Sequence, residues 1–209
     1  MARNAVGGAN LALLGDELIQ FGDAEALGGR RFRLRRLLRG RRGTEWAAGR
    51  HLAGEGFLLI EARSLAPVEP PPELLGGEAL LMGQGIGDLD AVTVSCTISG
   101  QAMRPPSPVH LRAIRKAGGD IAISWVRRSR AGWAWLSGSD APLGEERESY
   151  RLLLSGAGFE RAVSLAQPSY IYTAVEQAAD GAAGAIAISV LQIGTHAQSR
   201  AAEIVVQPG

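Results

Sequence analysis

Seven short apolar runs in the second half of the chain constrain its fold more than any other feature. Each run has the length of a strand, and Gly, Asp, Ser or Pro separates it from the next. Apolar side chains alternate within several of them, as Ile121, Ile123 and Trp125 do, so each strand would bury one face. Seven such strands in about 100 residues are typical of an antiparallel sandwich of the immunoglobulin or fibronectin type III kind. The runs are VHLRAIR, DIAISWVRR, ESYRLLLS, FERAVSL, SYIYTAVEQ, AIAISVLQIG and AAEIVVQ.

The chain has a single cysteine, Cys96. This excludes the Cys…Trp…Cys spacing of true immunoglobulin domains, so fibronectin type III is the closer form. It also excludes an internal disulfide and a cysteine-rich zinc site. Cys96 lies in the apolar alternation AVTVSCTIS, and we expect a buried thiol there.

The first half of the chain consists of shorter extended pieces that end at glycines, such as ANLALLG and ELIQFG. The sequence RPPSP at residues 104–108 separates them from the regular strands that follow. Prolines at this density do not fit the interior of a strand or a helix. We therefore expect an all-β chain with an N-terminal irregular small β domain over residues 1–104. A fibronectin type III-like sandwich over residues 105–209 would follow it.

Motifs of known enzyme classes are missing from the sequence. GQGIGD at residues 83–88 has neither the dinucleotide-binding spacing nor the lysine of a P-loop. The three histidines stand far apart, and none lies in a recognised nucleophile motif. No segment approaches the ~20 apolar residues of a membrane-spanning helix. The sequence thus predicts a protein without a membrane-spanning segment that is not an enzyme and has no catalytic residue, bound metal or cofactor.

Residues 30–45, RRFRLRRLLRGRRGTE, contain eight arginines, whereas the whole chain has one lysine and a net charge of +1. The run suggests nucleic acid, but such binders usually carry a basic surface over a whole domain. Arginine threaded with leucine is better suited to bidentate pairing with carboxylates and backbone carbonyls at protein interfaces. We expect a strand that leads into a tight loop, with Thr44 as N-cap of a short helical turn through Trp46 and Ala48. The expected interface residues are Arg35, Arg36, Arg39, Arg41, Arg42 and Glu45.

Three tryptophans lie in the segment WVRRSRAGWAWLSG. Trp125 follows the core-facing alternation, and we expect it to be buried. Trp133 and Trp135 alternate with alanine beside Arg128 and Arg130. Exposed, they could stack on sugar rings or form a protein contact. Buried against the arginines, they would stiffen a loop, and the sequence leaves both alternatives open.

Longer phrases carry a family resemblance. GDELIQFGDAEALGGRRFRLRRLLRGRRGTEWAAGRH resembles a stretch in the host-specificity, or tail-tip hub, proteins of tailed phages and gene transfer agents. RPPSPVHLRA, GDIAISWVRRSR, PLGEERESY and YIYTAVEQ are similar to phrases near the C-terminal end of the same family. The resemblance covers nearly all of the chain.

The resemblance implies a structural virion protein, part of a trimeric hub, that is made in the cytoplasm and assembled into the particle. Its implied partners are other tail-tip or baseplate proteins and a bacterial surface glycan, and not nucleic acid. The alternative function is a stand-alone carbohydrate-binding module that uses Trp133 and Trp135.

Overall fold

The computed structural model of the chain describes residues 10–61, 63, 65–66, 68–131 and 141–208. These residues form β strands, short 3-10 turns and one α-helix, α1 (Ala174–Ala179), which confirms the all-β prediction. No helix among them has the length and apolar character needed to cross a bilayer. The strands are β1 (Leu11–Leu14), β2 (Glu17–Gln20), β3 (Asp23–Gly28), β4 (Arg31–Arg35), β5 (Phe57–Leu59), β6 (Glu78–Gly83), β7 (Val92–Thr97), β8 (Val109–Arg115), β9 (Ile121–Val126), β10 (Tyr150–Gly156), β11 (Phe159–Leu165), β12 (Ser169–Tyr172), β13 (Ile186–Gln192) and β14 (Ala202–Val206).

The chain divides into two compact units. The first unit joins Met1–Ile60 with Arg104–Gly209, and the second is Glu61–Met103. The second unit ends at Met103, next to the predicted domain boundary at residue 104. Residues 1–60, however, belong to the same unit as the sandwich. The division into folding domains 1–104 and 105–209 stays a prediction.

The seven predicted strands are present as β8 to β14 and form a two-sheet sandwich. One sheet has the order β12-β9-β8 and the other β11-β10-β13-β14, with all neighbours antiparallel. This is the strand order of a fibronectin type III domain. The TAVEQ part of the fifth run, however, departs from the strand prediction and begins α1. Thr173 and Glu176 form a capping box there, which satisfies two backbone N–H groups at the helix start.

The sandwich core is built from the alternating apolar side chains of the central strands. Trp125 is 4% exposed, and its ring meets that of Tyr150 edge-on at 5.2 Å between centroids. The predicted core position of Trp125 is therefore confirmed. The other buried members of this cluster are Ile121, Ile123, Leu152, Leu154, Tyr172, Ile186, Ile188 and Val190.

The N-terminal part of the first unit is a small sheet of order β2-β1-β5 with a separate β3–β4 hairpin. The arginine run enters this hairpin as β4 and continues into 3-10 turns at Arg41–Gly43 and Glu45–Ala47. The predicted strand leading into a tight loop is thus present. Thr44 occupies the N-cap position of the second turn, but its side chain makes no capping hydrogen bond, so that part of the prediction is wrong.

The second unit contains the β6–β7 hairpin, whose residues are almost all exposed. Cys96 in β7 is exposed, so the prediction of a buried thiol is wrong. Alternation marks a buried face only where a second layer covers the sheet. Among the described residues of its own unit, this two-stranded hairpin has no such layer.

Candidate functional site

A buried carboxylate, Glu17, organises the arginine loop. Glu17 begins β2, and its side chain is fully buried. Arg39 donates to it from Nε at 2.8 Å and from Nη2 at 2.6 Å, and the backbone N–H of Gly40 donates at 2.5 Å. Arg39 also donates to the carbonyl of Ala48 at 2.7 Å. Arg39 therefore stabilises the loop from within the chain, and its predicted place at an external interface stays a prediction.

Gly40 is needed for the loop to reach Glu17. Its φ of 59° lies in the left-handed region, where a side chain is strained. A Cβ at this position would lie 2.8 Å from the Cα of Glu45, closer than real contacts allow. Glycine therefore lets the backbone N–H turn toward the carboxylate while the next turn packs against it.

Two contacts to β2 fix the rest of the loop. Gln20 and Leu38 exchange both backbone hydrogen bonds, at 2.9 and 2.8 Å. The Thr44 hydroxyl accepts from the backbone N–H of Leu18 at 2.9 Å and donates to the Arg41 carbonyl at 2.8 Å. The Thr44 side chain thus ties the loop to β2, which explains why it does not cap the following turn.

His51 bridges two carboxylates in the same network. Its Nε2 lies 2.6 Å from Glu17 Oε2, and its Nδ1 lies 2.6 Å from Glu55 Oε2. Glu55 also accepts from the backbone N–H of Leu52 at 2.8 Å. No group of His, Cys, Asp or Glu side chains in the part of the chain that the structure describes is arranged to hold a metal ion.

The network shifts three pKa values. Burial raises the pKa of Glu17, but hydrogen bonds from Arg39, His51 and Gly40 outweigh it and lower the pKa from 4.5 to about 2. Hydrogen bonds to Glu55 and Glu17 raise the pKa of His51 above 6.5. The hydrogen bond from His51 lowers the pKa of Glu55. The charged forms of all three groups are favoured together.

We expect the contribution of His51 to stability to depend on pH. A raised histidine pKa contributes stability that is fully present below 6.5 and is lost as the pH rises through the folded-state pKa. Lowered carboxyl pKa values contribute stability that is present above 4.5 and lost as the pH falls. The destabilisation caused by His51→Gln should therefore be largest between pH 4.5 and 6.5.

Urea unfolding of the wild type and of His51→Gln across a pH series measures this difference. Replacement of the exposed His196 by glutamine is the control for the substitution itself. A destabilisation by His51→Gln that grows toward alkaline pH would contradict the assignment.

An ion pair links the loop to the sandwich. Arg128, just after β9, contacts Glu45 through Nη2 and Oε1 at 2.5 Å. Arg130 contacts the buried carboxylate of Glu145 at 2.7 Å. The structure thus brings together Glu45 and Arg128, which the sequence assigned to two different sites. Trp133 and Trp135 lie outside the described residues.

The β3–β4 hairpin, which we call the arm, has two chemically different faces. One is apolar and consists of the pairs Ala24 with Leu34 and Ala26 with Phe32. Phe32 is 63% exposed, so this face is open to solvent within the chain. The opposite face is charged: Glu25 contacts Arg33 at 3.6 Å and Arg35 at 3.0 Å, and beyond the strand Arg36 contacts Asp23 at 2.6 Å.

The remaining two predicted interface residues, Arg41 and Arg42, follow the arm. They lie in the 3-10 turn Arg41–Gly43 and make no ion pair with the described residues. Of the predicted arginines, Arg35 and Arg36 thus lie at the arm, Arg39 contacts Glu17, and Arg41 and Arg42 lie in the turn that follows. Their place at an interface stays a prediction.

Sequence reasoning missed an aromatic and basic group around Trp46. The guanidinium carbon of Arg200 lies 3.9 Å from the centre of the Trp46 ring, and that of Arg50 lies 5.8 Å away. A cleft opens beside them, lined by Gly15, Asp16, Trp46, Ala47, Arg50, His51, Glu55 and Gly56. Arg200 is far from Trp46 and Arg50 in the sequence, and only the position of Trp46 directly after GTE marks the group locally.

Comparison with known proteins gives one family match. Residues 2–58 match the family model described as "Rcc01698-like, C-terminal". No curated protein is similar enough to match the chain. Among solved structures, domains d3-d4 of the rat CD45 extracellular region match with 7% identity and a TM-score of 0.39, over 89% of this chain and 94% of that chain. The segment that carries the Glu17 network and the arm is therefore similar to the C-terminal domain of Rcc01698-like proteins.

Proposed function

We propose that the chain is a non-enzymatic structural component of a phage or gene transfer agent tail tip or baseplate hub. It is made in the cytoplasm, assembles into the particle as part of a homotrimeric hub, and helps to contact the bacterial envelope. The resemblance of its sequence to tail-tip hub proteins supports this. The match of residues 2–58 to the Rcc01698-like model falls on the most extended phrase of that resemblance.

One observation carries the proposal: the arm exposes an apolar face that nothing in its own hairpin covers. A two-stranded hairpin is marginally stable in water, so an arm with an open apolar face gains stability when a partner covers it. Phe32 at its centre is a large aromatic side chain, the kind that dominates binding energy at interfaces. Leu27 near the end of β3 and Leu37 and Leu38 just after β4 are also exposed apolar residues.

The partner that fits this surface is another tail protein with an apolar patch. The paired arginines of the arm lie on its opposite face, beside Glu25 and Asp23, so the face offered to the partner is apolar. Burial of such a face against a complementary apolar patch is what drives most protein association.

The pairing of the arginines favours a protein over nucleic acid. Arg33 and Arg35 contact Glu25, and Arg39 contacts Glu17. These acids offset much of the positive charge that would track phosphates. We expect only non-specific DNA binding at ~150 mM salt, with dissociation constants of about 10⁻⁴–10⁻⁶ M.

The proposal is tested by coexpressing the chain with the tail proteins encoded beside it and measuring their affinity. Phe32→Ser should weaken binding about 30-fold or more, the effect expected for an interface hot spot. Val175→Ser is the matched control, because Val175 is a similarly exposed apolar residue on α1. Light scattering of the wild type should give three times the mass of the chain.

Equal binding by Phe32→Ser and the wild type would show that the arm is not part of the interface. Failure of every neighbouring tail protein to bind the wild type would overturn the tail-tip proposal itself.

A further inference from the structure

One face of the β6–β7 hairpin is built from apolar side chains alone. Successive cross-strand pairs alternate between the two faces of the hairpin, and every second pair falls on this one. Leu81 is 45% and Val92 75% exposed, so the face is open to solvent. Its members are Ala79, Leu81, Val92, Val94 and Cys96.

The described part of the chain has one other two-stranded sheet, the arm. The arm also has an open apolar face, with Phe32 and Leu34 on β4 opposite alanines of β3. A two-stranded hairpin is marginally stable in water and gains stability when another layer covers its apolar face. Two sheets that pack face to face lie about 10 Å apart and bury the side chains between them. Each hairpin therefore has the kind of surface that the other lacks a cover for.

The two hairpins carry opposite charge. Glu78–Thr97, which we call the acidic hairpin, contains three carboxylates and no basic residue, a net charge of −3. The arm contains four arginines and two carboxylates, a net charge of +2. Part of each charge lies at the turn: Arg30 is in the turn of the arm, and Asp90 lies between the turn of the acidic hairpin and β7. Opposite charges favour packing of an acidic hairpin on an arm, whereas like charges oppose packing of two acidic hairpins on each other.

We propose that the acidic hairpin of one copy packs on the arm of a second copy, with the apolar faces together and the turns at the same end. The contact joins two different surfaces, so each copy can use its arm toward one neighbour and its acidic hairpin toward the other. Contacts of this kind form a ring when the rotation between copies closes. The inference rests on the proposed function, in which the chain is part of a homotrimer, and it identifies a neighbouring copy as the tail protein that covers the arm.

Light scattering of the full chain across a dilution series tests the apolar contact. Leu81→Ser should raise the concentration at which the trimer dissociates about tenfold or more, because it places a hydroxyl group in the buried face. Leu80→Ser is the matched control: the same change is made one residue earlier, on the opposite face of the hairpin, where Leu80 is 71% exposed. This control should dissociate at the same concentration as the wild type.

A charge exchange tests the orientation of the contact. Arg30→Asp and Asp90→Arg should each weaken the trimer, because each places like charges at the adjoining turns. A chain that carries both substitutions should regain most of the lost affinity, since every copy then presents an acid to the arginine of its neighbour. This double variant has the same net charge as the wild type, so its recovery would not come from total charge.

Three results would overturn the contact. A wild type that is monomeric at all concentrations would mean that something other than a second copy covers the arm. Equal dissociation of the Leu81→Ser and Leu80→Ser trimers would show that the apolar face of the acidic hairpin is not buried between copies. A double variant no tighter than its weaker parent would contradict the pairing of the turns.

Binding of the wild type to the neighbouring tail proteins is measured separately and decides the tail-tip proposal. A chain that binds one of them but fails the three tests above keeps the tail-tip proposal and loses this contact.

Discussion

Replacement of Trp125 by alanine is expected to lower the free energy of unfolding by about 3–5 kcal/mol, the usual cost of emptying a large aromatic core site. Trp125 is 4% exposed and packs on Tyr150 at the centre of the sandwich. The loss combines the transfer free energy of the indole with the cavity left among rigid neighbours. Urea unfolding followed by circular dichroism measures it.

Val126 provides the control for this experiment. It is the next residue of β9, points to the opposite face and is 51% exposed. Val126→Ala should change the free energy of unfolding by about 0.5 kcal/mol or less, as surface substitutions usually do. A loss below about 1 kcal/mol for Trp125→Ala would contradict its place in the core.

Replacement of Arg39 by alanine is expected to be the most damaging change in the arginine run. It leaves the fully buried carboxylate of Glu17 without its strongest partner. Breaking a buried ion pair costs about 3–5 kcal/mol, and we expect about 3 kcal/mol because the side chain of Arg39 is 41% exposed. Arg36→Ala is the control: Arg36 pairs with Asp23 at the surface, where such pairs contribute about 0–1 kcal/mol.

The pH dependence of the Arg39→Ala effect adds a second check. The pKa of Glu17 in the folded wild type is about 2, below its ordinary value of 4.5. The ionised carboxylate therefore stabilises the folded state fully above pH 4.5, and this contribution is lost as the pH falls toward 2. The difference between wild type and Arg39→Ala should therefore shrink across that window. Equal destabilisation by Arg39→Ala and Arg36→Ala at neutral pH would show that Glu17 does not depend on Arg39.

The sandwich was predictable because its signals are local. Period-two alternation and turn residues recur along β8 to β14, and each strand can be recognised without knowledge of its partners. Helix α1 was missed although its T-x-x-E capping box is also local, because the preceding SYIY continues smoothly into it. Cys96 was misplaced because alternation alone does not say whether a second layer exists.

The site depends on pairings that local patterns do not contain. Glu17 lies 22 residues from Arg39, and nothing in its strand distinguishes it from a solvated charge. The run contains eight arginines, and the sequence alone does not indicate that Arg39 is the one that contacts the buried carboxylate of Glu17. The contact of Glu45 with Arg128 spans 83 residues, beyond the reach of any window-based argument.

That last contact has a consequence for synthesis on the ribosome. Glu45 emerges 83 residues before Arg128, a delay of about 4–17 s at the usual 5–20 residues per second. The delay is longer for Trp46, because Arg200, which stacks on its ring, is made after most of the sandwich. Until Arg128 and Arg200 have been made, the loop can form its Glu17 network, but its sandwich-facing side is not yet covered. The two parts of the first unit can therefore complete this packing only after Arg200 has been made, later than the Glu17 network can form.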